Sequence, residues 1–167
     1  MTTSSELRNK ARRRLLVLSG VVIGTIAIGG AGIGLWPQTS QAVANVTVYK
    51  SPTCGCCGVW VQHLERAGYH VKTVDTNDLE RKQRELKAPP DLASCHIAEV
   101  AGYVVEGHVP VSAIERLLAE RPYALGLFVP GMPLGSPGME SPYGKDPFDV
   151  ILVGQDGSRR VFAHIER

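Results

Sequence analysis

Three of the four cysteines in this 167-residue chain fall within four positions, in the run Ser51-Pro52-Thr53-Cys54-Gly55-Cys56-Cys57-Gly58-Val59-Trp60. No other feature restricts the fold as much. The run follows a short alternating stretch, Val46-Thr47-Val48-Tyr49, that reads as a strand. It precedes a helical pattern over 57–67 with Cys57, Trp60, Val61 and Leu64 on one face, closed by Gly68 as a C-terminal cap. The cysteines therefore sit at a strand-to-helix junction, where Cys54 and Cys57 have the C-x-x-C spacing of a redox pair. Cys56 does not fit a simple dithiol. Adjacent cysteines seldom bridge each other, because a disulfide needs Cα atoms about 4.4–6.8 Å apart with converging Cβ vectors. Three crowded thiols point instead to a soft metal such as Cu(I), Zn(II) or an iron–sulfur cluster.

The start of the chain sets the compartment. Arg8, Lys10, Arg12, Arg13 and Arg14 face only Glu6, and residues 15–35 carry no charge. Trp36, Pro37 and a polar stretch then lead to Ala42-Val43-Ala44, an A-x-A-like cleavage site. Residues 1–44 read as a signal peptide or, since 21 apolar residues suffice to span a bilayer, as an uncleaved membrane anchor. Arg12-Arg13-Arg14-Leu15-Leu16 resembles a twin-arginine signal. Each reading places the working domain outside the cytoplasm, in a bacterial periplasm, with membrane contact only through residues 15–35. Beyond residue 44 the chain has 13 Lys+Arg against 15 Asp+Glu, so its slight basicity belongs to the targeting segment. No basic patch alternates with aromatics, which argues against nucleic-acid binding.

The 123 residues from Asn45 onward suit a single domain. A second strand is expected over 70–74, and a helix opening at Asn77, with Glu80 three residues on and Pro89-Pro90 barring its continuation. A third strand follows over 102–106, then a helix over 110–119 with Val111, Ile114, Leu117 and Leu118 as its apolar face. Residues 122–147 hold six of the eleven prolines and read as ordered loop. Strands over 149–153 and 159–164, joined by Gln155-Asp156-Gly157, make the clearest hairpin. This order predicts an α/β thioredoxin-like sandwich, one domain over 45–167.

In that layout a helix N-terminus faces the cysteines, and its free N–H groups favour thiolate over thiol. Gly55 and Gly58 are expected to keep bulk away from the sulfurs. Trp60 reads as core, or as an apolar wall beside them. The fourth cysteine lies in Ser94-Cys95-His96, placed in a loop that folds back toward the helix start. Two ordinary disulfides are one reading of four cysteines, with three connectivities. A zinc site of Cys54, Cys57, Cys95 and His96 is another, although a second C-x-x-C pair is missing. Copper is the third. Met132 and Met139, the methionines of the proline-rich loop, offer thioethers suited to Cu(I), or else fill gaps beneath that loop. His108 follows a strand end but is a weak signal alone. His63, His70 and His164 carry no spacing signal.

Four stretches are similar to one known family: Cys54-Gly55-Cys56-Cys57-Gly58-Val59-Trp60, Ser94-Cys95-His96, Gly102-Tyr103-Val104-Val105-Glu106-Gly107-His108-Val109-Pro110, and Pro130-Gly131-Met132-Pro133-Leu134-Gly135-Ser136-Pro137-Gly138-Met139-Glu140. Together they resemble the CopG-like family of periplasmic copper-resistance and metal-binding proteins, long catalogued as a domain of unknown function. The resemblance runs from Val46 to the C-terminus. It implies a thioredoxin-like fold and copper held through cysteine sulfur as several thiolate-bridged ions. By motif the ligands would be Cys54, Cys56, Cys57 and Cys95, with His96 nearby. Ile97 stands where the family leads one to expect threonine.

Two functions follow from the sequence. In the first, the protein sequesters or redox-cycles copper, in exchange with copper ions and other periplasmic copper-handling proteins. In the second, it is a thiol–disulfide oxidoreductase with Cys54 attacking and Cys57 resolving. A zinc-stabilised domain without catalysis is the plainest alternative. The sequence does not decide whether the protein is an enzyme.

Overall fold

A computed structural model describes residues 44–166. The basic and apolar segment read as a signal or anchor lies outside the described residues. No helix among the described residues is long and apolar enough to cross a membrane.

The alternating 46–49 stretch extends into strand β1, Asn45–Lys50, and helix α1, Gly55–Arg66, carries the chain to β2, His70–Asp75. Helix α2, Leu79–Glu85, and a 3₁₀ turn, Pro90–Leu92, lead to the hairpin of β3, His96–Val100, and β4, Tyr103–Glu106. Helix α3, Val111–Glu120, crosses to β5, Ala124–Phe128. A long strap then returns the chain to β6, Phe148–Gly154, and β7, Arg159–Ile165. The seven strands form one mixed sheet in the order β2-β1-β3-β4-β5-β6-β7. The crossovers through α1 and α3 join parallel neighbours, β1 with β2 and β4 with β5, whereas α2 carries the chain past β1 to β3, and the other neighbouring strands run antiparallel.

Period-two side-chain direction divides the core between the two faces of the sheet. Val46, Val48, Ala98, Val100, Val105 and Leu127 share one cluster with Trp60 and Leu64 of α1 and Ile114 and Leu117 of α3. Ile97, Val104, Phe128 and Val153 point the other way, against Leu92 and the flank of α2. Helices and turns thus cover both faces, which buries the middle strands on both sides.

That double burial corrects two expectations. Residues 96–100 and 124–128 are strands, not loop. Neither alternates in polarity: β5 is apolar throughout, as a strand covered on both faces tends to be, and β3 sets His96 and Glu99 among apolar residues without period two. In β5 the sequence also carries Gly126, where an added Cβ would run into the Val104 backbone of the adjoining strand. The helix expected from Asn77 is capped instead by Asp78, whose side chain accepts the Arg81 N–H at 3.0 Å. The other elements stand within two or three residues of expectation. α1 closes as predicted: Gly68, at φ +92°, lets the Tyr69 N–H reach back to the Leu64 carbonyl at 3.1 Å.

Candidate metal centre

β1, β4 and β5 end at the edge of the sheet where β3 begins, and the functional side chains gather there. After β1 the chain turns through Ser51, with the Cys54 N–H on the Ser51 carbonyl at 3.1 Å, and delivers Cys54 to the N-cap position of α1. Cys54 has extended backbone at the N-cap, and its sulfur accepts no capping hydrogen bond from the first turn. Cys56 and Cys57 follow within that turn. Cys57 is fully buried, the other three cysteines partly so.

Cys54 and Cys57 form a disulfide with their Cα atoms 5.4 Å apart, and Cys56 and Cys95 are free. Sulfur of Cys56 sits 3.6 Å from that of Cys54. Cys57 Sγ touches the Cys95 carbonyl oxygen at 3.4 Å, which brings the β3 entrance against the helix start. All four Sγ atoms lie within 4.8 Å of one another, close enough to share a metal.

A second group meets the first at Cys95. Its sulfur is 3.2 Å from His108 Nε2 and 3.4 Å from His96 Nδ1, and the three residues form a further set able to hold an ion. His108 Nδ1 lies 2.8 Å from the Pro137 carbonyl. A carbonyl only accepts, so Nδ1 carries the proton and Nε2 turns its lone pair toward Cys95. Ligating histidines are oriented by second partners of this kind. Both imidazoles are fully buried, and desolvation lowers their proton affinity, His96 to about 3. Burial, and then the neighbouring Cys56 sulfur, push the Cys95 thiol up to about 11. At neutral pH Cys95 is therefore a thiol donating to a neutral His108, and an arriving metal must displace that proton.

Three supports hold the group in place. The Trp60 indole N–H donates to the Val109 carbonyl at 2.9 Å while its ring lies 4.4 Å from that of His96, so Trp60 is both core and wall. The strap of residues 130–147 lies over the site, with the Ser94 hydroxyl on the Gly131 carbonyl, Pro137 on His108, and Glu140 paired to His63 at 2.6 Å. Gly138 of the strap, at φ +91°, comes so near that a Cβ there would lie 2.7 Å from the Cys56 carbonyl and 3.3 Å from His108 Nδ1. Gly55 and Gly58 do not play the part expected of them, since a Cβ at either meets nothing within 4 Å. Behind the site, Glu106 Oε1 accepts the Ser94 N–H at 2.8 Å and the Gln83 amide, tying the Cys95 segment to β4. Its other oxygen has no partner among the described residues, and desolvation raises the carboxyl to about 7.

The structure thus brings together Cys54, Cys56, Cys57, Cys95 and His96 of the expected residues, and adds His108. The zinc tetrahedron drawn from the sequence omitted Cys56 and His108, both of which stand among the converging donors. Met132 is exposed and Met139 half-buried on the strap. Gln83 gave no sequence signal and Glu106 only its place in the Gly102–Pro110 stretch, since their contacts depend on the packing of α2 and on the pairing of Ile97 with Glu106.

Fold and site define a mixed α/β protein with a cysteine–histidine cluster capable of binding metal. A family model described as protein of unknown function, DUF411, matches residues 92–139, the span from the 3₁₀ turn to the strap. Two solved structures of copper resistance protein CopG, forms 2 and 1, superpose with TM-scores of 0.71 and 0.70. Each is 36% identical and covers 74% of this chain, which in turn covers 98% of each. The chain belongs to this DUF411 family, that of copper resistance protein CopG. No relative matches among curated proteins.

Proposed function

We propose that the protein binds copper as its substrate in a periplasm, through Cys54, Cys56, Cys57 and Cys95 when reduced. The observation that carries this reading is the convergence of four sulfurs within 4.8 Å at a helix N-terminus. Clustered thiolates select Cu(I), and several sulfurs so close suit bridging between ions. CopG's copper-resistance role supports copper over zinc. The order β2-β1-β3-β4 with α1 and α3 on one face supports a thioredoxin-like core, extended by β5, β6 and β7. Residues 1–44 would serve as export signal or anchor and 45–167 as the working domain. Met132 and Met139 would offer soft thioethers on the strap, with Met132 first to meet an incoming ion.

Redox cycling is part of the proposal. Two Cu(II) ions each accept one electron while the Cys54 and Cys57 thiols together lose two electrons and release two protons to solvent, forming the S–S bond. Run backward, the same step reopens the thiols. The observed Cys54–Cys57 disulfide also favours a second reading, dithiol exchange with other proteins. Anaerobic titration of the reduced chain with Cu(I), followed by elemental analysis, separates the two. More than one tightly held copper per chain supports the copper reading. No retained copper, with a reversible Cys54–Cys57 disulfide, supports the exchange reading.

A further inference from the structure

We infer that the cavity between α2 and the 3₁₀ turn is a binding site for a small organic cation, a primary alkylammonium whose N–H groups meet the Glu106 carboxylate. No cysteine or histidine lines this cavity, and the inference does not depend on the copper reading.

The cavity has a volume of about 320 Å³, at the small end of the range for ligand pockets. Glu106 forms its floor and is fully buried. One carboxylate oxygen, Oε1, is held by the Ser94 N–H and the Gln83 amide. The other, Oε2, has no hydrogen-bond partner among the described residues. Nor does a cation of the cavity wall answer it. No lysine lines the cavity, and its one arginine, Arg84, is paired with Glu80 at 3.7 Å. A buried carboxylate left half-satisfied is costly, and here it borders a space that a donor from outside the chain can enter.

The rest of the wall selects the kind of donor. Both amide hydrogens of Gln83 are spent, on the Ser94 carbonyl at 3.2 Å and on Glu106, which leaves its carbonyl end as a second acceptor. Pro89 and Pro90 have no N–H to offer. Those of Ala88 and Ala93 donate to the Gln83 and Pro90 carbonyls at 2.9 and 3.3 Å. The same four residues give the wall its apolar surface. An anion would therefore meet acceptors and an arginine already engaged. An uncharged aliphatic molecule would leave the carboxylate as it is. An alkylammonium suits both parts, with a charge-assisted hydrogen bond at Glu106 and its hydrocarbon body against the alanines and prolines.

The test titrates the full-length chain, isotopically labelled at its alanine methyls, with n-butylammonium at pH 8 and follows the methyl resonances. We expect saturable shifts of Ala88 and Ala93. Tetramethylammonium, which has charge but no N–H, and n-butanol, which has the same body but no charge, should each bind at least tenfold more weakly. Glu106→Gln should weaken n-butylammonium binding at least tenfold. Ala93 is exposed, so Ala93→Leu should fold normally and fill the cavity from its rim, with the same loss read at Ala88. That variant decides alone if Glu106→Gln does not fold. No saturable shift, an equal response to n-butanol, or parental binding in either folded variant overturns the proposal. The Cu(I) titration of the reduced chain decides the copper reading separately.

Discussion

Cys95 and His108 lie 13 residues apart in sequence, yet the Cys95 sulfur stands 3.2 Å from His108 Nε2, across the open end of the β3–β4 hairpin. The pair stores a proton where metal is expected to bind. With the Cys95 thiol raised to about 11, mainly by burial, metal must displace that proton throughout the neutral range. Apparent Cu(I) affinity should therefore rise about tenfold per pH unit for this one displaced proton. Competition titrations at several pH values between 6 and 9 measure the slope, and pH-independent affinity would refute the assignment of Cys95.

Stability of the metal-free chain should respond to pH through the buried imidazoles and Glu106 in opposite senses. His96 falls from 6.5 to about 3 on folding, so between those values the unfolded chain binds more protons and stability rises with pH. Glu106 climbs from 4.5 to about 7, so its contribution is full below 4.5 and is lost as pH rises toward 7. These two slopes, each about 1.4 kcal/mol per pH unit, oppose each other from roughly 4.5 to 6.5, and His108, also lowered by burial, adds to the rise just below 6.5. Glu106→Gln should abolish the fall, leaving stability that climbs from pH 3 to 6.5. Denaturant unfolding across that range would show it, and an unchanged curve in the variant would rule out Glu106 as the source.

Two glycine substitutions should act in opposite directions. Gly138→Ala forces a side chain into a left-handed backbone and toward the Cys56 carbonyl, which should cost about 1–3 kcal/mol and lower copper stoichiometry. Gly58→Ala lies in open space on α1 and should stabilise the fold by about 0.5–1 kcal/mol. Thermal melts of the pair check both signs.

Cys56→Ser should greatly reduce Cu(I) stoichiometry while leaving disulfide exchange through Cys54 and Cys57 largely intact. Cys56 is free and 3.6 Å from the Cys54 sulfur, so it stands outside the bridge and within reach of a metal shared with the other sulfurs. Parental copper content in this variant would count against the four-sulfur reading.

What the sequence revealed follows from where polarity alternates. β1, α1, α3 and the β6–β7 hairpin announce themselves because each has a buried and a wetter side. β3 and β5 are covered on both faces and neither alternates, and a short apolar run such as β5 or a mixed one such as β3 does not distinguish strand from loop at that length. The site divides in the same way. Cys54, Cys56 and Cys57 are neighbours in the chain, and their crowding is legible directly. His108, Glu106 and Gln83 become functional only through the pairing of β3 with β4 and the packing of α2 behind them. Gly138 was missed for a related reason, since a loop glycine shows its purpose only against the helix that it approaches.

The β3–β4 hairpin makes the site's tolerance of length change strongly one-sided. Its ladder pairs Ile97 with Glu106 and Val100 with Tyr103, with Cys95 and His108 just past one end and the Ala101-Gly102 turn at the other. Residues added at the turn would leave the donors in place, because the ladder holds their separation. One residue inserted between Cys95 and the first rung would turn that cysteine to the opposite face of the sheet, away from the histidine it meets. Natural variation in this hairpin should therefore accumulate at its turn, with the donor end keeping a fixed count.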